Sequence, residues 1–65
     1  MIIVDLIKEL MYQQNKTIGD VVKATGLSYL TVENIVLRDV IPIPEDAQVI
    51  LNYLGISLEE VLSLY

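Results

Sequence analysis

Two pairs of adjacent carboxylates, Glu45-Asp46 and Glu59-Glu60, are the only side chains in this sequence whose types and spacing resemble acid–base machinery. Paired carboxylates do such work only when both converge on one substrate. Neighbours on a helix diverge by roughly 100° around its axis and cannot. Both pairs fall in the first turn of an expected helix, where a carboxylate meets the positive end of the helix dipole. Capping is the role that this placement favours. The chain has no cysteine and no histidine, which removes disulfides, thiolate metal sites, the commonest general base and the commonest metal ligand. With no nucleophile–base pair and no glycine-rich phosphate loop either, the sequence predicts neither an enzyme nor a cofactor, metal or small-molecule substrate.

The remaining charged residues bear on partners. Lys8, Lys16, Lys23 and Arg38 stand against nine carboxylates, Asp5, Glu9, Asp20, Glu33, Asp39, Glu45, Asp46, Glu59 and Glu60, for a net charge of −5. DNA affinity comes largely from lysines and arginines that displace counterions from phosphates, so only weak DNA binding is expected. Asp5 interrupts the apolar start Met1-Ile2-Ile3-Val4 before it reaches signal-peptide length. No run approaches the ~20 apolar residues of a membrane span. The expectations are a cytoplasmic location and no membrane partner.

These residues must be positioned by helices. The length predicts one domain over 1–65, and a hydrophobic fraction of 54% with three glycines and two prolines excludes a disordered chain. Ile3, Ile7, Leu10 and Met11 form an amphipathic stripe over 3–13. Thr17 followed by Asp20 reads as a capped start of a helix over 17–24 that stops at Gly26. Ser28 caps a third helix over 28–38, with Val32, Ile35 and Val36 inward. Pro42-Ile43-Pro44 is an extended connector, and Pro44 suits the first position of a helix over 44–54. Ser57 with Glu60 marks a fifth helix over 58–64. Strand signals are weak. The expected core is Ile7, Leu10, Val21, Val22, Leu27, Val32, Ile35, Ile50, Leu54, Ile56, Val61 and Leu62.

The segment from Thr17 through Thr25-Gly26-Leu27-Ser28, followed by Thr31-Val32 and Ile35, resembles the helix-turn-helix of the phage repressor/Cro family. Leu54-Gly55-Ile56-Ser57-Leu58-Glu59-Glu60 is similar to the same family's link between its last two helices, and the resemblance covers nearly the whole chain without insertion. It implies an all-α, five-helix repressor/Cro-like helix-turn-helix domain. It also implies operator binding as a dimer, with the second helix of the motif in the major groove. On that reading the contact residues are Lys16, Lys23, Ser28, Tyr29, Thr31, Asn34 and Arg38, with Leu30 and Ile18 also at base-facing positions. Many relatives carry glutamine, arginine, serine or lysine where this chain has Ile18, Tyr29 and Leu30. Where relatives often end the recognition helix in glycine, this chain has Val36-Leu37-Arg38. That helix therefore either runs on or holds a residue with a side chain in the left-handed region, at about 1 kcal/mol.

Ile18, Tyr29, Leu30, Leu37, Val40, Ile41 and Ile43 are apolar and lie outside the expected core, with Glu33 among them. One reading is that they merely cap a small core. The other is a contiguous patch that marks a protein partner. Val49, Tyr53, Leu64 and Tyr65 form a second surface, where the resemblance implies homodimerisation. Three functions follow as expectations. The favoured one is a transcription-control protein acting through protein contacts, as an anti-repressor does on a basic DNA-binding repressor. The alternative is a Cro-like, sequence-specific DNA-binding repressor acting as a dimer. The third is a small homodimerisation module.

Overall fold

Three of the helices begin where a side chain or a proline accommodates amides that have no partner within the helix. In the computed structural model, which describes residues 3–57 and 59–60, the elements are α1 (Ile3–Gln13), α2 (Ile18–Thr25), α3 (Tyr29–Arg38) and α4 (Pro44–Tyr53). There is no strand among the described residues. Thr17 heads α2 with a complete capping box. Its Oγ1 accepts from the Asp20 amide at 3.1 Å, and its own amide donates to Asp20 Oδ2 at 3.0 Å. Ser28 Oγ accepts from the Thr31 amide at 3.1 Å at the start of α3. Ile43 makes no side-chain cap for α4. Pro44 instead stands at its first position, and Glu45 and Asp46 occupy its first turn.

The helices stop by three routes. Gly26 takes φ 76° and its amide donates to the Val22 carbonyl at 2.9 Å, the left-handed stop expected from sequence. The polar break after α1 closes with Asn15 at φ 56°, while Gln14 Nε2 donates to the Leu54 carbonyl at 2.7 Å and ties the ends of α1 and α4 together. The third route resolves the choice left open for α3. The helix continues through Arg38, the position matched to the family's glycine, and ends one residue later, where Asp39 takes the left-handed conformation at φ 55° and the Val40 amide donates to the Asn34 carbonyl at 3.1 Å.

α2 packs against α3 and α4, and α1 packs against the same two helices. Their shared core is Val4, Ile7, Met11, Val21, Val32, Ile35, Ala47, Ile50, Leu51 and Leu54. Six of the twelve expected core residues are fully buried: Ile7, Val21, Val32, Ile35, Ile50 and Leu54. Leu10, Val22, Leu27 and Ile56 are only half-buried and pack on the outside of this cluster. Val4, Met11, Ala47 and Leu51 take their share of the interior. On α1 the buried stripe is Val4-Ile7-Met11, which keeps Ile7 and Met11 of the expected Ile3, Ile7, Leu10 and Met11 stripe and takes Val4 in place of Ile3 and Leu10. Burying aliphatic side chains of this size is worth about 1.5–3 kcal/mol each relative to exposure. A small rotation therefore changes which residues contribute most.

The fifth helix, expected over 58–64, falls mostly outside the described residues, as do Leu58, Val61 and Leu62. Glu59 and Glu60 are helical, and the Glu60 amide donates to Ser57 Oγ at 3.1 Å. No helix among the described residues is long and apolar enough to cross a membrane.

Candidate functional site

α3 buries Val32 and Ile35 and turns the opposite side outward. Leu30 and Leu37, seven residues apart, lie on that outward side and are 61% and 64% exposed. Tyr29, in the first turn, is 54% exposed. Beyond the helix, Val40, Ile41 and Ile43 are exposed on the connector to α4. The physical reason lies in the two ends of this connector. The left-handed Asp39 turns the chain off the helix axis, and Ile43 is extended ahead of Pro44 (φ −66°, ψ 156°). A four-residue link held at both ends has little freedom to fold its side chains inward.

Ile18 departs from expectation. It opens α2, but its side chain is half-buried and packs against the core, so it does not stand with the exposed set. Its neighbour Thr17 is held by the capping box that opens α2.

The polar residues of the outward face bond mainly to one another. Arg38 Nη1 donates to Glu33 Oε1 at 3.2 Å and to Asn34 Oδ1 at 3.0 Å. Ser28 Oγ and Thr31 Oγ1 are 2.7 Å apart in the N-terminal cap. At the other end, Lys8 Nζ of α1 donates to Asp39 Oδ1 at 2.8 Å. The Asp39 carboxylate raises the Lys8 ammonium above the ordinary lysine range, first through this hydrogen bond and then through its charge. Asp20 is moved the other way. The Thr17 amide and then the Thr17 hydroxyl hold its carboxyl below the ordinary aspartate range.

The residues read as phosphate or base contacts are therefore dispersed in role. Ser28, Thr31, Asn34 and Arg38 are engaged within α3 and its cap. Lys16 Nζ sits 5.4 Å from the Tyr53 ring centroid, a cation–π approach. Lys23 occupies the last turn of α2 and is exposed. Of the second surface, Val49 is exposed on α4, whereas Tyr53 is half-buried against the core beneath Lys16. Leu64 and Tyr65 lie outside the described residues. Among the described residues the most exposed large hydrophobic side chain belongs to neither set: Tyr12, on α1, is 81% exposed. Its position beside Met11, off the Val4-Ile7-Met11 stripe, is the signal that places it outward. Among the described residues no group of three or more carboxylates is arranged to hold a metal ion. Comparison with family models, curated proteins and solved structures gave no match.

Proposed function

We propose that this chain is a small transcription-control protein of the helix-turn-helix type that works through protein–protein contacts, docking on a DNA-binding partner in the manner of an anti-repressor. The observation that carries this reading is the division of labour on the outward side of α3. Its apolar residues Tyr29, Leu30 and Leu37 face solvent, while its polar residues Glu33, Asn34 and Arg38 bond to each other. A helix that reads bases needs free donors and acceptors along that side. A helix that docks on protein needs an apolar centre with a polar surround. The net charge of −5 supports the same choice, because it opposes a polyanion and steers the chain toward a basic partner.

Two paired measurements test this function. In a gel shift against duplex DNA at about 150 mM salt, binding should be no tighter than the roughly 10⁻⁴ M weak end of non-specific association. Submicromolar binding to any natural operator would overturn the proposal in favour of the Cro-like alternative. Tyr29→Ala and Leu30→Ala should each leave stability within about 0.5 kcal/mol of the parent. Each should also weaken partner capture at least tenfold, equivalent to about 1.4 kcal/mol. A stability loss comparable to a core deletion would assign both residues to the core instead.

A further inference from the structure

The apolar residues of this face have a spacing, and the charges around them have a sign. Leu30 and Leu37 are separated by two helical turns, roughly 10 Å along the axis at about 1.5 Å per residue. Ile41 and Ile43 carry exposed apolar surface past the end of the helix. Aliphatic side chains at this interval match those on one side of a second helix laid alongside. The single arginine on this face, Arg38, is already shared by Glu33 and Asn34. The charge of Asp39 is met by Lys8. At the far end of the connector, Glu45 and Asp46 make no ion pair among the described residues. The connector thus leads into two carboxylates that meet the α4 dipole but no cation among the described residues.

We infer that the outward side of α3, together with the connector after it, is a docking surface for a basic amphipathic helix. Such a helix would carry aliphatic residues at heptad spacing and lysine or arginine at its edges. This rests on the protein-contact reading above and names the chemistry of the partner segment. Charge decides between the possible occupants. A second copy would bring another net −5 against this one, and like charges across an interface are unfavourable. An anionic lipid surface would be repelled for the same reason. A basic helix satisfies both features, burying its aliphatic side chains on Leu30, Leu37 and Ile41 while its cations meet Glu45 and Asp46.

The test uses the whole chain and three synthetic peptides of equal length. The first is a helix with leucines at heptad spacing and lysine and arginine elsewhere. The second has the same leucines and glutamate elsewhere. The third is a scrambled version of the first. Binding is followed through the backbone amide resonances of the chain. The basic helical peptide should bind and perturb the amides around Leu30, Leu37 and Ile41, and the glutamate peptide should not bind. Leu37→Ser and Ile41→Ser, both at exposed positions, should melt like the parent and weaken the basic peptide at least tenfold. Glu45→Gln with Asp46→Asn should weaken it at least threefold and flatten its salt dependence.

Equal binding of the scrambled peptide would overturn the inference by reducing the effect to charge attraction alone. So would perturbation of the same amides by self-association without peptide, equal binding of the glutamate peptide, or no binding by the basic helix. Failure here is separable from failure of the function. If Tyr29→Ala and Leu30→Ala abolish partner capture but the basic peptide does not bind, protein contact stands and the helical occupant falls. Tight operator binding removes the protein-contact reading whatever the peptides do.

Discussion

Lys8 Nζ and Asp39 Oδ1 are 2.8 Å apart, across 31 residues of sequence, and their pairing fastens α1 to the residue that terminates α3. Asp39 has two roles at one position. Its backbone occupies the left-handed region at φ 55°, where a glycine would be unstrained, and its carboxylate holds the lysine. The side chains of Lys8 and Asp39 are 40% and 63% exposed, so solvent screens the pair and it contributes more to the direction of the connector than to overall stability.

These two roles separate in a pair of variants. Asp39→Ala and Asp39→Gly both lose the ion pair and differ in the backbone cost of a left-handed residue. The glycine variant should be the more stable by about 1 kcal/mol in thermal or denaturant melts. An alanine variant as stable as the glycine variant would mean that α3 ends differently in solution. The lysine supplies a pH signature as well. Its folded value is raised above its unfolded one, so the pair's contribution is fully present below the unfolded value and is lost as pH rises through the folded value.

Asp20 should titrate below an ordinary aspartate, with its contribution lost only in acid. Its folded value is depressed, so the contribution is present above the unfolded value and disappears as pH falls through the folded one. The larger cause is the Thr17 amide and the smaller is the Thr17 hydroxyl. Thr17→Ala removes the hydroxyl and keeps the amide, so it should return the Asp20 titration only part of the way to normal. A complete return, followed by carboxyl resonances, would show that the capping box depends on the hydroxyl throughout.

Leu54 and Leu10 were both expected in the core, and their variants should now differ. Leu54 is 3% exposed and joins the buried cluster, whereas Leu10 packs on its outside. Leu54→Ala should cost about 2–5 kcal/mol through lost burial and the cavity left behind, enough to unfold much of so small a domain. Leu10→Ala should cost clearly less. Denaturant melts of the two variants give the ordering, and equal losses would place Leu10 inside.

By itself the sequence determined the four helices α1 to α4 and most of their ends. Thr17 with Asp20, Gly26, Ser28 and Pro44 act over three or four residues through hydrogen bonds and backbone sterics that do not depend on the rest of the fold. Composition also excludes a disulfide, since the chain has no cysteine. Tertiary structure decided the rotation of each helix about its axis. That rotation put Val4 inside and left Leu10 on the outside of the cluster, and set Ile18 against the core. Neighbouring apolar residues on a stripe differ little in hydrophobicity, so packing against α3 and α4 selects among them. It also decided that Asp39, in a stretch with no glycine, would turn the chain. The lysine facing it comes from α1, and that neighbour exists only once the chain is folded.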